Sequence, residues 1–199
     1  MSAPSILLFD VGNVIIDADH AITFKILEGF GVKPENAKLF YSNPQYQEFS
    51  RGRINEKEFY SLLIETYLKF SLTYDQVVYA HNQHIYALNK EVKKILDSLS
   101  RATLAFATDT NPWQTVRERE LIDLRKYTDK IFRSHEIHML KIDNGLFPYI
   151  INNLKEKPSE ILLIDDSSEK IEVGKSYGLS TLQFKTAKQL ESQLRRLQF

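Results

Sequence analysis

Two short apolar runs without alternation, Ser5-Ile6-Leu7-Leu8-Phe9 and Glu160-Ile161-Leu162-Leu163-Ile164, each end in carboxylates: Asp10 in the first, Asp165-Asp166 in the second. A run that is apolar at every position predicts a parallel strand covered on both faces. Thr103-Leu104-Ala105-Phe106-Ala107-Thr108 predicts a further strand, Lys130-Ile131-Phe132-Arg133 a short one, and Thr181-Leu182-Gln183-Phe184 the last. Helical spacing fills the gaps: Val92, Ile95, Leu96 and Leu99; then Phe147, Ile150, Ile151 and Leu154; then Ala187, Leu190, Leu194 and Leu197. Asn111 before Pro112 reads as a helix cap, as does Ser167 or Ser168, and Gly178 reads as a helix end.

Between the first strand and Val92 the pattern is different. After Val11-Gly12-Asn13-Val14-Ile15-Ile16 it turns helical and stays so for about seventy residues. Lys33-Pro34 and Asn43-Pro44 place proline at first helical positions, and Asn55-Glu56-Lys57-Glu58 reads as a capping box with an Asn cap. Phe59, Leu62, Leu63, Tyr67 and Phe70 predict one apolar face. Thr73-Tyr74-Asp75-Gln76 repeats the start signal, with Val77, His81, Ile85 and Leu88 following at helical spacing. The order argues an α/β protein, a doubly wound parallel sheet with a small inserted helical cap. The expected division is a core of residues 1–16 and 90–199 and a cap of residues 17–89.

Composition narrows the functions. At 199 residues and 43% hydrophobic, the chain can bury a full core. Lys+Arg and Asp+Glu number 26 each, so no net field draws nucleic acid or an anionic membrane. The absence of cysteine excludes disulfides, thiolate metal sites and a Cys nucleophile. Met1-Ser2-Ala3-Pro4 carries no basic region or long apolar stretch, so neither a signal peptide nor a membrane span is expected. A cytoplasmic location is the expectation; oligomeric state is open.

The strand ends hold the chemistry. In a doubly wound sheet, ligands bind beyond the carboxyl ends of the strands, where Asp10, Thr108 and Asp165-Asp166 fall. Three carboxylates at one edge repel unless a cation or a shared proton intervenes, which predicts a metal. These are parts for phosphoryl transfer, which needs an in-line nucleophile, donors for the equatorial oxygens and a cation. Asp10 suits the nucleophile, giving an aspartyl-phosphate that water later hydrolyses. The Val11 and Gly12 amides, the Thr108 hydroxyl, Asp109 and Lys141 are the groups expected around the phosphate. Asp165 and Asp166, with one Asp10 oxygen and the Gly12 carbonyl, form a partial oxygen shell suited to Mg2+.

At these residues the sequence resembles the haloacid dehalogenase superfamily. Phe9-Asp10-Val11-Gly12-Asn13-Val14-Ile15 is similar to its first motif, the strand ending in Thr108 to its second, Lys141 to its third, and Ile164-Asp165-Asp166-Ser167 to its fourth. Ser134, Lys141 and Phe147 resemble the third-motif region, and Phe49-Ser50-Arg51-Gly52-Arg53-Ile54 a segment of the cap. The resemblance spans almost the whole chain, with the helical insert where the family places its C1-type cap. Gly12, two residues after the nucleophile, resembles the branch that includes sugar phosphatases. What this implies is a magnesium-dependent phosphatase acting on a small phosphorylated metabolite.

Two departures bear on turnover. Many family phosphatases carry an aspartate at the position of Gly12, to protonate the leaving oxygen and activate water; such help is worth about 10²–10⁴ in rate. Asp109, Asp17 or a cap histidine is a candidate replacement. Ile142 stands where the family usually has proline after the lysine, which removes a restraint on Lys141. These departures sustain an alternative: a catalytically weak or silent relative that binds a phosphorylated ligand or a protein partner. His81 and His84, like His135 and His138, have helical spacing but no further ligands, so zinc is not expected. Arg51 and Arg53, near Tyr41, Tyr46 and Phe49, are either substrate-reading cap residues or a solvated helix edge.

Overall fold

The computed structural model describes residues 4–100 and 102–199, so the reading of residues 1–3 as leader-free lies outside the described residues. The chain opens with β1 (Ile6–Phe9), passes through β2 (Ile16–Ala18) and enters five helices: α1 (His20–Gly29), α2 (Pro34–Ser42), α3 (Pro44–Ser50), α4 (Glu56–Leu62) and α5 (Tyr74–Asn82). It returns by β3 (Ile85–Leu88) and α6 (Lys90–Ser98) to β4 (Thr103–Thr108), α7 (Pro112–Leu121), β5 (Ile131–Arg133) and α8 (Ser134–Ile137). Then come α9 (Leu146–Leu154), β6 (Ile161–Asp165), α10 (Ser168–Ser176), β7 (Ser180–Gln183) and α11 (Ala187–Arg196).

Five strands form one parallel sheet in the order β5-β4-β1-β6-β7. β1 alternates faces but is buried throughout. Leu7 and Phe9 pack with Val92 and Leu96 of α6 and Leu190 and Leu194 of α11, while Ile6 and Leu8 pack with Phe147 and Ile150 of α9 and Ile171 of α10. That two-sided cover is why the run is apolar at every position. From β1 the chain moves outward through β4 to β5, then crosses back to β6 and β7. The switch falls between β1 and β6, where the ends of the strands leave a crevice.

The helical insert has its own apolar core. Leu27, Phe40, Phe49, Phe59, Leu63 and Val77 come together, with Phe49 stacked on Phe59 at 4.5 Å between centroids. Its predicted caps form. Pro34 and Pro44 open α2 and α3, and the Asn55/Glu58 and Thr73/Gln76 capping boxes open α4 and α5. Two expectations fail. Ile85 and Leu88 do not continue α5; they lie on β3, which pairs antiparallel with β2. A strand partner some seventy residues away is invisible to local periodicity, and it overrides the helical spacing. The run after Phe59 also departs from a simple α-helix: Leu63–Leu68 winds as a π-helix, ended by Lys69 at φ 48°, and Phe70 is exposed.

Trp113, from α7 beneath the insert, is buried among those aromatic rings and donates its indole N–H to Tyr74 at 2.9 Å. One side chain therefore ties insert and sheet layer into shared packing. Trp113→Ala is expected to lower the unfolding free energy by about 3–5 kcal/mol, read by urea denaturation, with Trp113→Phe costing less. A loss under about 1 kcal/mol in the alanine variant would show that the ring is dispensable to the packing.

Candidate active site

The sheet register builds the site. Phe9 is level with Phe106 and Ile164, so one residue further on Asp10 stands beside Asp165, the last residue of β6. The Asp10 amide extends the ladder to Ile164 O at 2.8 Å. Lys141 comes from the loop after α8, and its Nζ lies 2.7 Å from both Asp10 Oδ1 and Asp165 Oδ2. Asp166 completes the group: ligand oxygens of Asp10, Asp165 and Asp166 all lie within 4.8 Å of one another. The sequence's two acidic strand ends and its lysine are thus one cluster.

Each charge is set by its neighbours. Burial pushes the Asp10 carboxyl up to about 6; the Lys141 ammonium pulls against that, and the Asp165 charge adds to it. Burial acts on Asp165 in the same sense, but Lys141 and Lys170 together hold its carboxyl below the usual range, helped by the Ser167 amide at 2.9 Å. Lys141 is fully buried, which opposes its charge, yet Asp10 and Asp165 hold it above the ordinary amine value. Asp10, Asp109, Asp165 and Asp166 gather at this edge with Lys141 and Lys170, four carboxylates and two ammoniums. The deficit is two positive charges, that of one divalent cation, and an all-oxygen donor set suits a hard one.

The other predicted residues sit around this cluster. The Val11 amide is turned onto Asp10 Oδ1 at 2.7 Å. Among the described residues no hydrogen bond falls on Asp10 Oδ2. Gly12 follows, with nothing within 4 Å of where a Cβ would stand, so this edge is open to a ligand. Thr108 ends β4 and, with Val11, Gly12 and Asp109, lines a small cavity of about 50 Å³. Asp109 is engaged at both oxygens: Oδ1 accepts the Lys141 backbone amide at 2.9 Å, and Oδ2 meets Lys170 Nζ at 3.1 Å. Asp17 lines neither this cavity nor the cleft described next.

Lys170 escaped sequence reasoning. It lies in the first turn of α10, where the helix dipole disfavours a cation. That misplaced charge was the available signal.

A cleft of about 410 Å³ opens above the acids. Asp10, Gly12, Asp109, Asp166 and Lys170 form its floor; His20, Tyr46, Gln47, His84 and Gln114 line the side toward the insert. The protonation of two histidines, His84 on this side and the fully buried His81, follows from one helix cap. In the capping box of α7, Asn111 Oδ1 accepts from the Gln114 amide and Gln114 Oε1 from the Asn111 amide. Both side-chain NH2 groups are therefore turned outward. Asn111 donates to His81 Nε2 at 3.3 Å, and Gln114 to His84 Nε2 at 3.0 Å. Each imidazole must accept at Nε2 and carry its proton on Nδ1, which faces Tyr41 Oη in His81 and the His81 carbonyl in His84. Burial acts in the same direction, holding His81 well below its ordinary value and His84 at about 4. His20 is lowered too, by burial, and stacks on Tyr41. The upper wall is uncharged at neutral pH, and both Nε2 lone pairs are occupied. His135 Nε2 bonds to Thr115 Oγ1, and His138 Nδ1 to the Arg51 carbonyl.

Fold and site together define a doubly wound α/β protein with an acidic edge beneath a helical insert. The chain belongs to the haloacid dehalogenase-like hydrolase family, whose sequence profile matches residues 7–184. It is 25% identical over 186 residues to a D-ribitol-5-phosphate phosphatase of Bacteroides thetaiotaomicron, covering 89% of this chain and 90% of the relative. It is 23% identical to a phosphorylated carbohydrates phosphatase of Thermotoga maritima, covering 88% and 82%. Its fold matches a crystal structure of a haloacid dehalogenase family enzyme from Bacteroides thetaiotaomicron in complex with magnesium and inorganic phosphate. There the TM-score is 0.83 at 20% identity, covering 92% and 94%.

The neutral histidines give stability a pH dependence of known sign. An imidazole at about 4 in the fold and near 6.5 when unfolded binds more protons in the unfolded state between those values. Its contribution is complete above about pH 6.5 and falls by about 3 kcal/mol by pH 4. Asp10, raised to about 6, acts in the opposite sense over part of this window, so the readout is a difference: between pH 7 and 4 the urea midpoint should fall more steeply in the wild type than in His84→Gln. Identical slopes in the two proteins would remove His84 as a source.

Proposed function

We propose that this protein is a magnesium-dependent phosphatase of small phosphate monoesters, phosphorylated carbohydrates first among them. The observation that carries this reading is the buried Asp10: one oxygen is fixed by Lys141 and the Val11 amide, and it lies beside two further carboxylates. Asp10, Asp165 and Asp166, with the Gly12 carbonyl, would hold Mg2+, which supplies charge neutralisation between an anionic nucleophile and an anionic ester. The names of the relatives and the magnesium and phosphate of the solved neighbour support the same assignment. Residues 17–89 act as the cap over a core of residues 1–16 and 90–199.

In this reading Asp10 Oδ2 attacks phosphorus, the bond to the leaving oxygen breaks with its electron pair, and an aspartyl-phosphate remains. Lys141 keeps Asp10 oriented and balances charge on the phosphoryl oxygens; the Gly12 amide and the Thr108 hydroxyl donate to them. Water then attacks the same phosphorus and releases inorganic phosphate, returning the Asp10 carboxylate. The insert-side wall of His20, Tyr46, Gln47, His84 and Gln114 receives the leaving group with uncharged hydrogen-bonding groups.

Among the described residues, the candidates to replace the acid missing at Gly12 are not ready proton donors. Gly12 has no side chain, Asp109 is engaged by two donors, and the wall histidines are neutral. Esters whose leaving group needs little protonation should therefore turn over best.

Two measurements test this. Phosphate release from an aryl phosphate should require Mg2+, be abolished by chelation, and fall at least about 10³-fold in Asp10→Asn. No magnesium-dependent release from the wild type would favour the silent, ligand-binding alternative. The second compares leaving groups: aryl and anomeric phosphates should exceed simple alkyl phosphates in kcat/KM by about 10² or more. Equal values would mean that a proton donor exists.

A further inference from the structure

The loop that carries Lys141 lacks the stiffness of a proline at position 142, yet two successive amides of it are tied to carboxylates. Lys141 N–H donates to Asp109 Oδ1 at 2.9 Å, and Leu140 N–H donates to Asp143 Oδ2 at 2.8 Å. Asp109 is held from the sheet layer, by Lys170. Asp143 is held from the insert. Arg51, at the end of α3, grips it with both prongs of its guanidinium, Nε to Oδ2 at 2.8 Å and Nη2 to Oδ1 at 2.7 Å.

Arg51 is itself fixed. Its Nη1 reaches Glu48 Oε1 at 3.1 Å and Gln47 Oε1 at 3.4 Å, its side chain is only 10% exposed, and its carbonyl meets His138 Nδ1 at 2.9 Å. The next residue, Gly52, has φ +65°, and a Cβ there would stand 2.2 Å from the His135 carbonyl, so the end of α3 is seated directly on the backbone leading into the loop. A bidentate pair fixes orientation as well as distance.

We propose that Arg51 is a positioning residue for Lys141: through Asp143 and the Leu140 amide, the seated insert holds the loop that places the lysine between Asp10 and Asp165. The proposal rests on the phosphatase reading for its catalytic consequence. Insert and lysine then move as one unit, and the site is complete only while α3 is docked. Ile142 makes this necessary, since the loop has no internal restraint at that position to replace the external one.

The test uses the full-length protein with Mg2+ and an aryl phosphate. Arg51→Met and Asp143→Asn should each lower kcat about tenfold while KM changes less than about twofold, because a displaced lysine weakens the transition state more than the ground state. The double variant should be no slower than the slower single one, since both break the same link. Amide exchange supplies a readout without turnover: Leu140 and Lys141 should exchange at least about tenfold faster in Arg51→Met than in the wild type. Asp143→Asn keeps a carbonyl acceptor for the Leu140 amide, and it carries the test if Arg51→Met does not fold. Unchanged kcat in the folded variants, additive losses in the double variant, or unchanged exchange at both amides would overturn the proposal. If the wild type hydrolyses nothing, the phosphatase reading fails, and exchange alone decides whether Arg51 holds the loop.

Discussion

The Lys141 ammonium lies 2.7 Å from both Asp10 and Asp165, and all three groups are buried. Two adjacent strands of a parallel sheet cannot each end in a buried carboxylate unless something positive stands between them. Removing one partner from such a group leaves an uncompensated buried charge, at a cost of about 3–5 kcal/mol. The topology therefore has to deliver a lysine to one point at the sheet edge, from a loop more than a hundred residues beyond β1. Much of what surrounds that point serves the delivery: the Asp109 and Asp143 carboxylates on the loop amides, and the helical insert pressing on the same segment.

Most of the sheet was legible because its signals are local. Short, mainly apolar runs marked β1, β4 and β6, and the caps at Asn55, Thr73, Asn111 and Ser167 stood where their side chains could reach a backbone amide. The β2–β3 ribbon was not legible. Its strands are three and four residues long, and each depends on a partner at the far end of the insert.

The same division runs through the site. Asp10, Asp165 and Asp166 could be placed together because they end or directly follow strands, and Lys141 because its surroundings resemble a family motif. Lys170 and Asp143 could not, since their meaning lies in pairings across 61 and 92 positions, and a lysine or aspartate in a polar stretch ordinarily reads as solvated surface. The departure at Ile142 was visible in the sequence. What offsets it was not, because the Arg51 fork has no one-dimensional trace. His81 and His84 show the point from another side: their helical spacing is local, but the Asn111 and Gln114 amide groups that meet their Nε2 atoms come from the cap of α7, about thirty positions away.

Trp113 is the single tryptophan of the chain, and it sits where α7 enters the aromatic core of the insert. Its ring lies 4.8 Å from Phe49 and 5.6 Å from His81, between centroids. The molecule thus carries an intrinsic fluorophore at the joint between its two layers. Any loosening of that joint would expose the indole to water and change the colour and intensity of its emission, without a dye or an added label. The seating of the insert can be followed by light in the native protein, during ligand binding or in the course of turnover.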